Sequence, residues 1–147
     1  MSPHEFLILA RELQAAPSEA HWRTAVSRAY YAAFHTARQL LRTWGFQIGT
    51  ADQAHAGITR RLAASKRADL EKASRELSEL RSKRNVADYD LDRAFLQETA
   101  VKCVSAAGLV LNILNRDFAL EQKQQAIQAM RDYERNVLRD VTWRSLN

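Results

Sequence analysis

Two short segments hold most of the side chains able to do chemistry. The first is Ser27-Arg28-Ala29-Tyr30-Tyr31-Ala32-Ala33-Phe34-His35. It sets a hydroxyl, a guanidinium, aromatic rings and an imidazole on adjacent faces of one predicted helix. Ser27, Tyr31 and His35 fall four residues apart and share a face, flanked by Arg28 and Arg38. The second is Leu80-Arg81-Ser82-Lys83-Arg84-Asn85-Val86-Ala87-Asp88-Tyr89-Asp90. It bunches cations, an amide, a carboxylate and a phenol at a predicted helix end. Other chemistries lack their residues. There is no Gly-rich phosphate loop, no His-Glu-x-x-His pair and no serine in a nucleophile elbow. His4, His21, His35 and His55 are scattered, so no dedicated metal site and no cofactor are expected.

The elements that must position these segments read as helices. The chain has 147 residues, the size of one compact domain, with only 4 Gly and 2 Pro to demand turns. Phe6, Leu9 and Leu13 predict a first helix over residues 3–16. Pro17 ends it, and Ser18 is placed to cap a long second helix that stops at Gly45. Trp22, Val26, Ala29, Ala33, Ala37, Leu40 and Trp44 form its apolar stripe. Residues 46–53, with Gly49 and Thr50, read as a loop, and residues 55–64 as a short amphipathic helix.

A further helix is predicted over 69–84, with Leu70, Ala73, Leu77 and Leu80 inward. Residues 85–90 read as a break, because Asn and Asp favour caps and turns. Asp90 or Asp92 would then cap a helix to Asn115 that buries Leu96, Ala100, Cys103, Val104, Ala107, Leu111 and Leu114. A last helix over 118–138 has a thin apolar line of Leu120, Ile127, Met130, Val137 and Val141. It also carries a basic row, Arg131, Arg135 and Arg139. The reading is therefore all-α: an antiparallel bundle over residues 1–115 and a C-terminal helical extension over 116–147.

Charge narrows the partners. Lys and Arg number 22 against 17 Asp and Glu, a net +5. Nine of those cations, against four acids, lie in residues 60–84. Such a balance suits a phosphate-bearing or acidic partner, and equally a solvated surface. The single cysteine, Cys103, sits among small apolar residues and reads as a buried structural thiol, consistent with a reduced cytoplasmic setting. No stretch approaches the ~20 apolar residues of a membrane span, and the N-terminus does not read as a signal peptide.

The Ser-Arg-Ala-Tyr-Tyr-Ala-Ala-Phe-His run, followed by Arg-Asn-Val-Ala-Asp-Tyr-Asp at residues 84–90, resembles the HEPN superfamily and its small stand-alone prokaryotic members. The resemblance implies a bundle of four or five antiparallel helices that dimerises and brings the two segments into a shared cleft. Many members are metal-independent endoribonucleases whose signature is an Arg followed, after a polar spacer, by a His. Arg84 and Asn85 match its start, and Asp88 and Tyr89 stand where the histidine would be. Cleavage without a metal needs a group for the 2′-hydroxyl proton and cations for the phosphate. Arg84, Asp88 and Tyr89 are accordingly the candidate catalytic residues, with His35 as a candidate imidazole. Arg28, Arg81, Lys83, Asn85, Arg131, Arg135 and Arg139 are candidate RNA contacts.

Three functions are compatible with this. One is a homodimeric metal-independent endoribonuclease of toxin or defence type. Another is a non-catalytic RNA-binding or assembly subunit working with a nucleotidyltransferase antitoxin or an antiviral defence complex. The third is a helical adaptor that docks through its last helix. On the structural alternative Arg28 pairs with Asp88, Tyr89 packs beside them, and the signature serves folding.

Overall fold

The computed structural model describes residues 1–49 and 52–146, so Thr50 of the predicted loop lies outside the described residues. Among the described residues six α-helices follow one another: α1 Pro3–Gln14, α2 Glu19–Thr43, α3 Ala54–Ala63, α4 Ala68–Tyr89, α5 Gln97–Leu114 and α6 Leu120–Tyr133. A π-helical turn, Glu134–Leu138, closes the series. No strand occurs among the described residues, and no helix there is long and apolar enough to cross a membrane.

Local chemistry sets the first boundaries. Ser2 and Glu5 form a reciprocal capping box at α1, with Pro3 in the first turn. The Ser18 hydroxyl accepts the His21 N–H and caps α2. The Trp22 indole N–H donates to the Ala16 carbonyl at 2.7 Å and fixes the α1–α2 corner.

α2 is the central helix and packs on α1, α4 and α5. Ala25, Ala29, Ala32, Ala33 and Ala37 are fully buried along it. Without long side chains there, three neighbours can approach closely. α3 lies against α4 and meets α2, and α6 meets α3. Leu70, Ala73, Leu77 and Leu80 of α4 are buried as their spacing predicts.

Two expectations are corrected. α4 does not stop at Arg84 but continues as helix to Tyr89. Ala87 is buried and extends the apolar spacing by two turns, and Arg23 of α2 gathers the carbonyls at the helix end. Tertiary packing thus overrides the turn preference of Asn85 and Asp88. In consequence α5 begins at Gln97 rather than at Asp90 or Asp92, and Leu96, just ahead of it, is exposed. The thin C-terminal apolar line is mostly left at the surface. Met130 is buried, but Leu120, Val137 and Val141 are exposed. The buried positions are Ala126, Ala129, Met130 and Glu134. Spacing alone could not find this face, because a carboxylate stands in it.

After the π-turn, Arg139 adopts a left-handed conformation (φ 54) and sends the chain back to the bundle. The Arg144 N–H donates to the Gly45 carbonyl at 2.8 Å, and the Trp143 indole to the Trp44 carbonyl at 2.9 Å. Gly45 is required there. Its φ is +104, and an added Cβ would lie 2.6 Å from both the Arg144 carbonyl oxygen and the Trp143 indole nitrogen. Gly45→Ala is expected to destabilise the protein by about 1–3 kcal/mol and to loosen the tail. Urea denaturation should show a lower midpoint, and limited proteolysis should cut first beyond Leu138.

Candidate functional site

One face of α2 carries the polar side chains at four-residue steps: Arg23, Ser27, Tyr31 and His35. It faces the C-terminal half of α4. Arg23 binds the α4 end, Ser27 donates to Asp88 at 3.2 Å, and Tyr31 lies under Arg84. Toward the far end of this face a cleft of about 340 Å³ opens. Tyr30, Tyr31, Phe34, His35 and Arg38 of α2 line it, with Arg81 and Arg84 of α4, His55 of α3, and Asp52.

Arg84 is the best-held cation of the cleft. Its guanidinium carbon lies 5.2 Å from the ring centroid of Tyr30, 5.6 Å from Tyr31 and 5.9 Å from Tyr89. These ring faces favour the charge and fix its direction. Asp88 does not consume it. The shortest approach, Nη1 to Oδ2, is 3.8 Å, too long for a hydrogen bond, and that same oxygen accepts from Ser27. The buried Nε of Arg84 has no partner among the described residues. Arg84 therefore keeps donors for an incoming anion.

The imidazoles are held neutral. Burial lowers the pKa of His35, and the charges of Arg38 and Arg28 lower it further. His55 is pushed down to about 4, first by burial and then by Arg81 and Arg84. His55 Nδ1 shares a 3.0 Å hydrogen bond with the Tyr30 hydroxyl. Burial raises that phenol to about 12, so it keeps its proton. Near neutral pH the cleft thus combines fixed cations with uncharged imidazoles able to accept protons.

Of the residues singled out from the sequence, Arg84, His35 and Arg81 meet in this cleft. Tyr31 and Arg38, from the same face of α2, line it as well, and the remaining candidate catalytic residues and RNA contacts do not. Asp88 sits beside Arg84 on the Ser27 side, and Tyr89 is 76% exposed at the end of α4. Arg28 does not pair with Asp88: its guanidinium stacks on Phe6 at 5.0 Å and Tyr31 at 5.3 Å. Lys83 lines a separate groove between α4 and α5 with Cys103, and Asn85 is exposed on α4. Arg131 lies 3.8 Å over the Trp143 ring, Arg135 pairs with Asp132, and Arg139 forms the turn.

Two residues escaped the sequence reading. Arg23 was within reach, because one further step of four back from Ser27 lands on it. His55 carries no local signal, since only the fold of α3 onto α4 brings it to Tyr30.

No curated protein and no solved structure matches the chain. The HEPN domain model matches residues 5–117. That stretch takes in the cleft and both chemistry-bearing segments, and it covers well over half of the chain. By this match the protein belongs to the HEPN domain family.

Proposed function

We propose that this HEPN protein binds RNA in the cleft between α2, α3 and α4 and cuts it without a metal ion, as a homodimer of toxin or defence type. HEPN domains are generally associated with ribonuclease, toxin and defence roles or with RNA binding. The observation that carries the reading is that Arg84 and His35 line one cleft while Asp88 leaves the Arg84 donors free. Arg84, with Arg81 and Arg38, holds the phosphodiester and the charge that develops on it. His35, neutral and half-buried, handles a proton. Ser27 and Asp88 steady the α4 end from which Arg84 projects.

The test is incubation of the purified chain with RNA in excess chelator. Cleavage by the wild type is expected, with a loss of about 10²–10³-fold in Arg84→Ala. An Arg84→Ala protein that cuts at the wild-type rate removes Arg84 from the chemistry.

A second reading, an RNA-binding or assembly subunit for a nucleotidyltransferase antitoxin or a defence complex, is favoured by one observation. Tyr89, standing where the signature histidine would be, does not line the cleft and is exposed. An inert wild type that binds RNA with a steep salt dependence supports that reading.

A further inference from the structure

The proposed reaction moves two protons, and the cleft holds two imidazoles. The 2′-oxygen bonds to phosphorus and the P–O5′ bond breaks, giving a 2′,3′-cyclic phosphate and a 5′-hydroxyl. One proton leaves the 2′-hydroxyl, and one arrives on the departing 5′-oxygen. His35 accounts for one transfer: kept neutral in the free cleft by burial and by the charges of Arg38 and Arg28, it takes up a proton from solvent once a phosphodiester offsets those charges, and so carries one to deliver.

We infer that His55, carried into the cleft by α3 and oriented by Tyr30, is the base that takes the 2′-hydroxyl proton, leaving His35 to protonate the 5′-oxygen. This role rests on the cleavage reading above. Geometry supports it in three ways. First, His55 lines the same cleft as Arg81, Arg84 and His35. Second, its Nδ1 is engaged by Tyr30 at 3.0 Å, and Nε2 has no partner among the described residues. With Nδ1–H donating to the phenol oxygen, the Nε2 lone pair is the free one. The same bond persists once Nε2 is protonated, so the ring need not turn during the step. Third, the ring is packed at 5.9 Å against Tyr30 and is 8% exposed, which fixes its plane.

Charge makes the base responsive to substrate. The groups facing the cleft with His55 are Tyr30, Tyr31, His35 and Arg38 from α2, Arg81 and Arg84 from α4, and Asp52 ahead of α3. Burial first, and then the charges of Arg81 and Arg84, oppose protonation of His55. A phosphodiester seated on them offsets that repulsion, so the imidazole becomes more basic when there is a proton to take.

The experiment uses the full chain, a short RNA oligonucleotide in chelator, and the same oligonucleotide with sulfur replacing the bridging 5′-oxygen. A thiolate leaves without a proton, so only loss of the acid is bypassed. His55→Ala and His55→Asn (the latter able to keep a bond to Tyr30) should lose about 10²–10⁴-fold on ordinary RNA. Both should stay inactive on the sulfur substrate and hold RNA affinity within about twofold by fluorescence anisotropy, because the cations that hold phosphate are untouched. His35→Ala should recover on the sulfur substrate. Tyr30→Phe should lose less than His55→Ala and shift the acidic limb of the pH–rate profile. Folded His55 variants that cut RNA at near wild-type rate, or that recover on the sulfur substrate, overturn the assignment while the cleavage reading stands. A wild type that cuts neither substrate overturns both.

Discussion

Arg23→Ala is expected to destabilise the protein by about 3–5 kcal/mol and to unravel the end of α4. Arg23 is 7% exposed, and its fork is filled by main chain. Nη1 donates to the carbonyls of Val86 at 3.1 Å, Ala87 at 3.0 Å and Asp90 at 3.0 Å, and Nη2 donates to that of Arg93. The guanidinium also covers the Phe95 ring at 5.2 Å. α4 has no basic residue in its own last turn. Arg23 supplies the cation that its negative end favours, from another helix. Its ion pair with Glu19 is the lesser part, because Glu19 is 46% exposed and such pairs give at most about 1 kcal/mol. Glu19→Ala should therefore be nearly silent. The Val86 carbonyl keeps the Asp90 N–H, so the decisive cost is the carbonyls of Ala87, Asp90 and Arg93 left without a donor in a half-buried corner, at about 1–3 kcal/mol each before water relieves some of them. Arg23→Lys should recover little, since one ammonium cannot span four carbonyls. Urea denaturation reads the stability. Amide exchange at residues 86–90 should accelerate well beyond the rest of α4, whereas uniform exchange across the helix would contradict the local role. Arg84 lies one turn from this end, so RNA cleavage should fall with it.

Long-range contacts of this kind set the limit of what the sequence could tell. Helices α1 to α3 and the start of α4 were legible because their signals are local: the Ser18 cap, Gly45, and the spacing of Leu70, Ala73, Leu77 and Leu80. The end of α4 was not. Asn85, Asp88 and Asp90 argue locally for a turn, and a residue more than sixty positions away outweighs them. The candidate site divides the same way. His35, Arg81 and Arg84 sit on faces that helical spacing reveals, and the cleft contains all three. His55 is one histidine in a short helix, and nothing near it in sequence marks it. Only the packing of α3 on α4 and α2 joins it to Tyr30 and the arginines. The packed face of the C-terminal segment was illegible for a related reason. Val137 and Val141 belong to its thin apolar line yet stay exposed, whereas the group that is buried is Glu134, a charge whose partner lies on α3.

Removing that charge is the second change with a large effect: Glu134→Ala should cost about 3–5 kcal/mol. Glu134 is fully buried, and the Arg61 side chain is 5% exposed. Oε2 accepts from Arg61 Nε at 2.9 Å and Nη2 at 2.7 Å, and also from the Thr142 hydroxyl. Oε1 accepts the N–H groups of Thr142 and Trp143, both at 3.1 Å. Truncation strands a buried guanidinium and two backbone donors together. Exchanging both charges for apolar residues is often neutral when a buried pair is self-contained. This pair is not, because the tail donors depend on the same carboxylate. The double variant Arg61→Leu with Glu134→Leu should therefore recover only part of the loss. A coupling energy well above 1 kcal/mol in the double-mutant cycle would carry the ion pair, and the shortfall from wild type would carry the tail. Trp143 reports the second quantity directly. Its ring lies under Arg131 and its indole N–H is bound to the Trp44 carbonyl, so release of the tail should shift the tryptophan emission to the red below the global transition. If the emission of Glu134→Ala changes only with global unfolding, the carboxylate is a core charge and not the anchor of the tail. Arg61 stands on the helix that carries His55. The same variant should accordingly weaken RNA cleavage under conditions where the bundle is still folded.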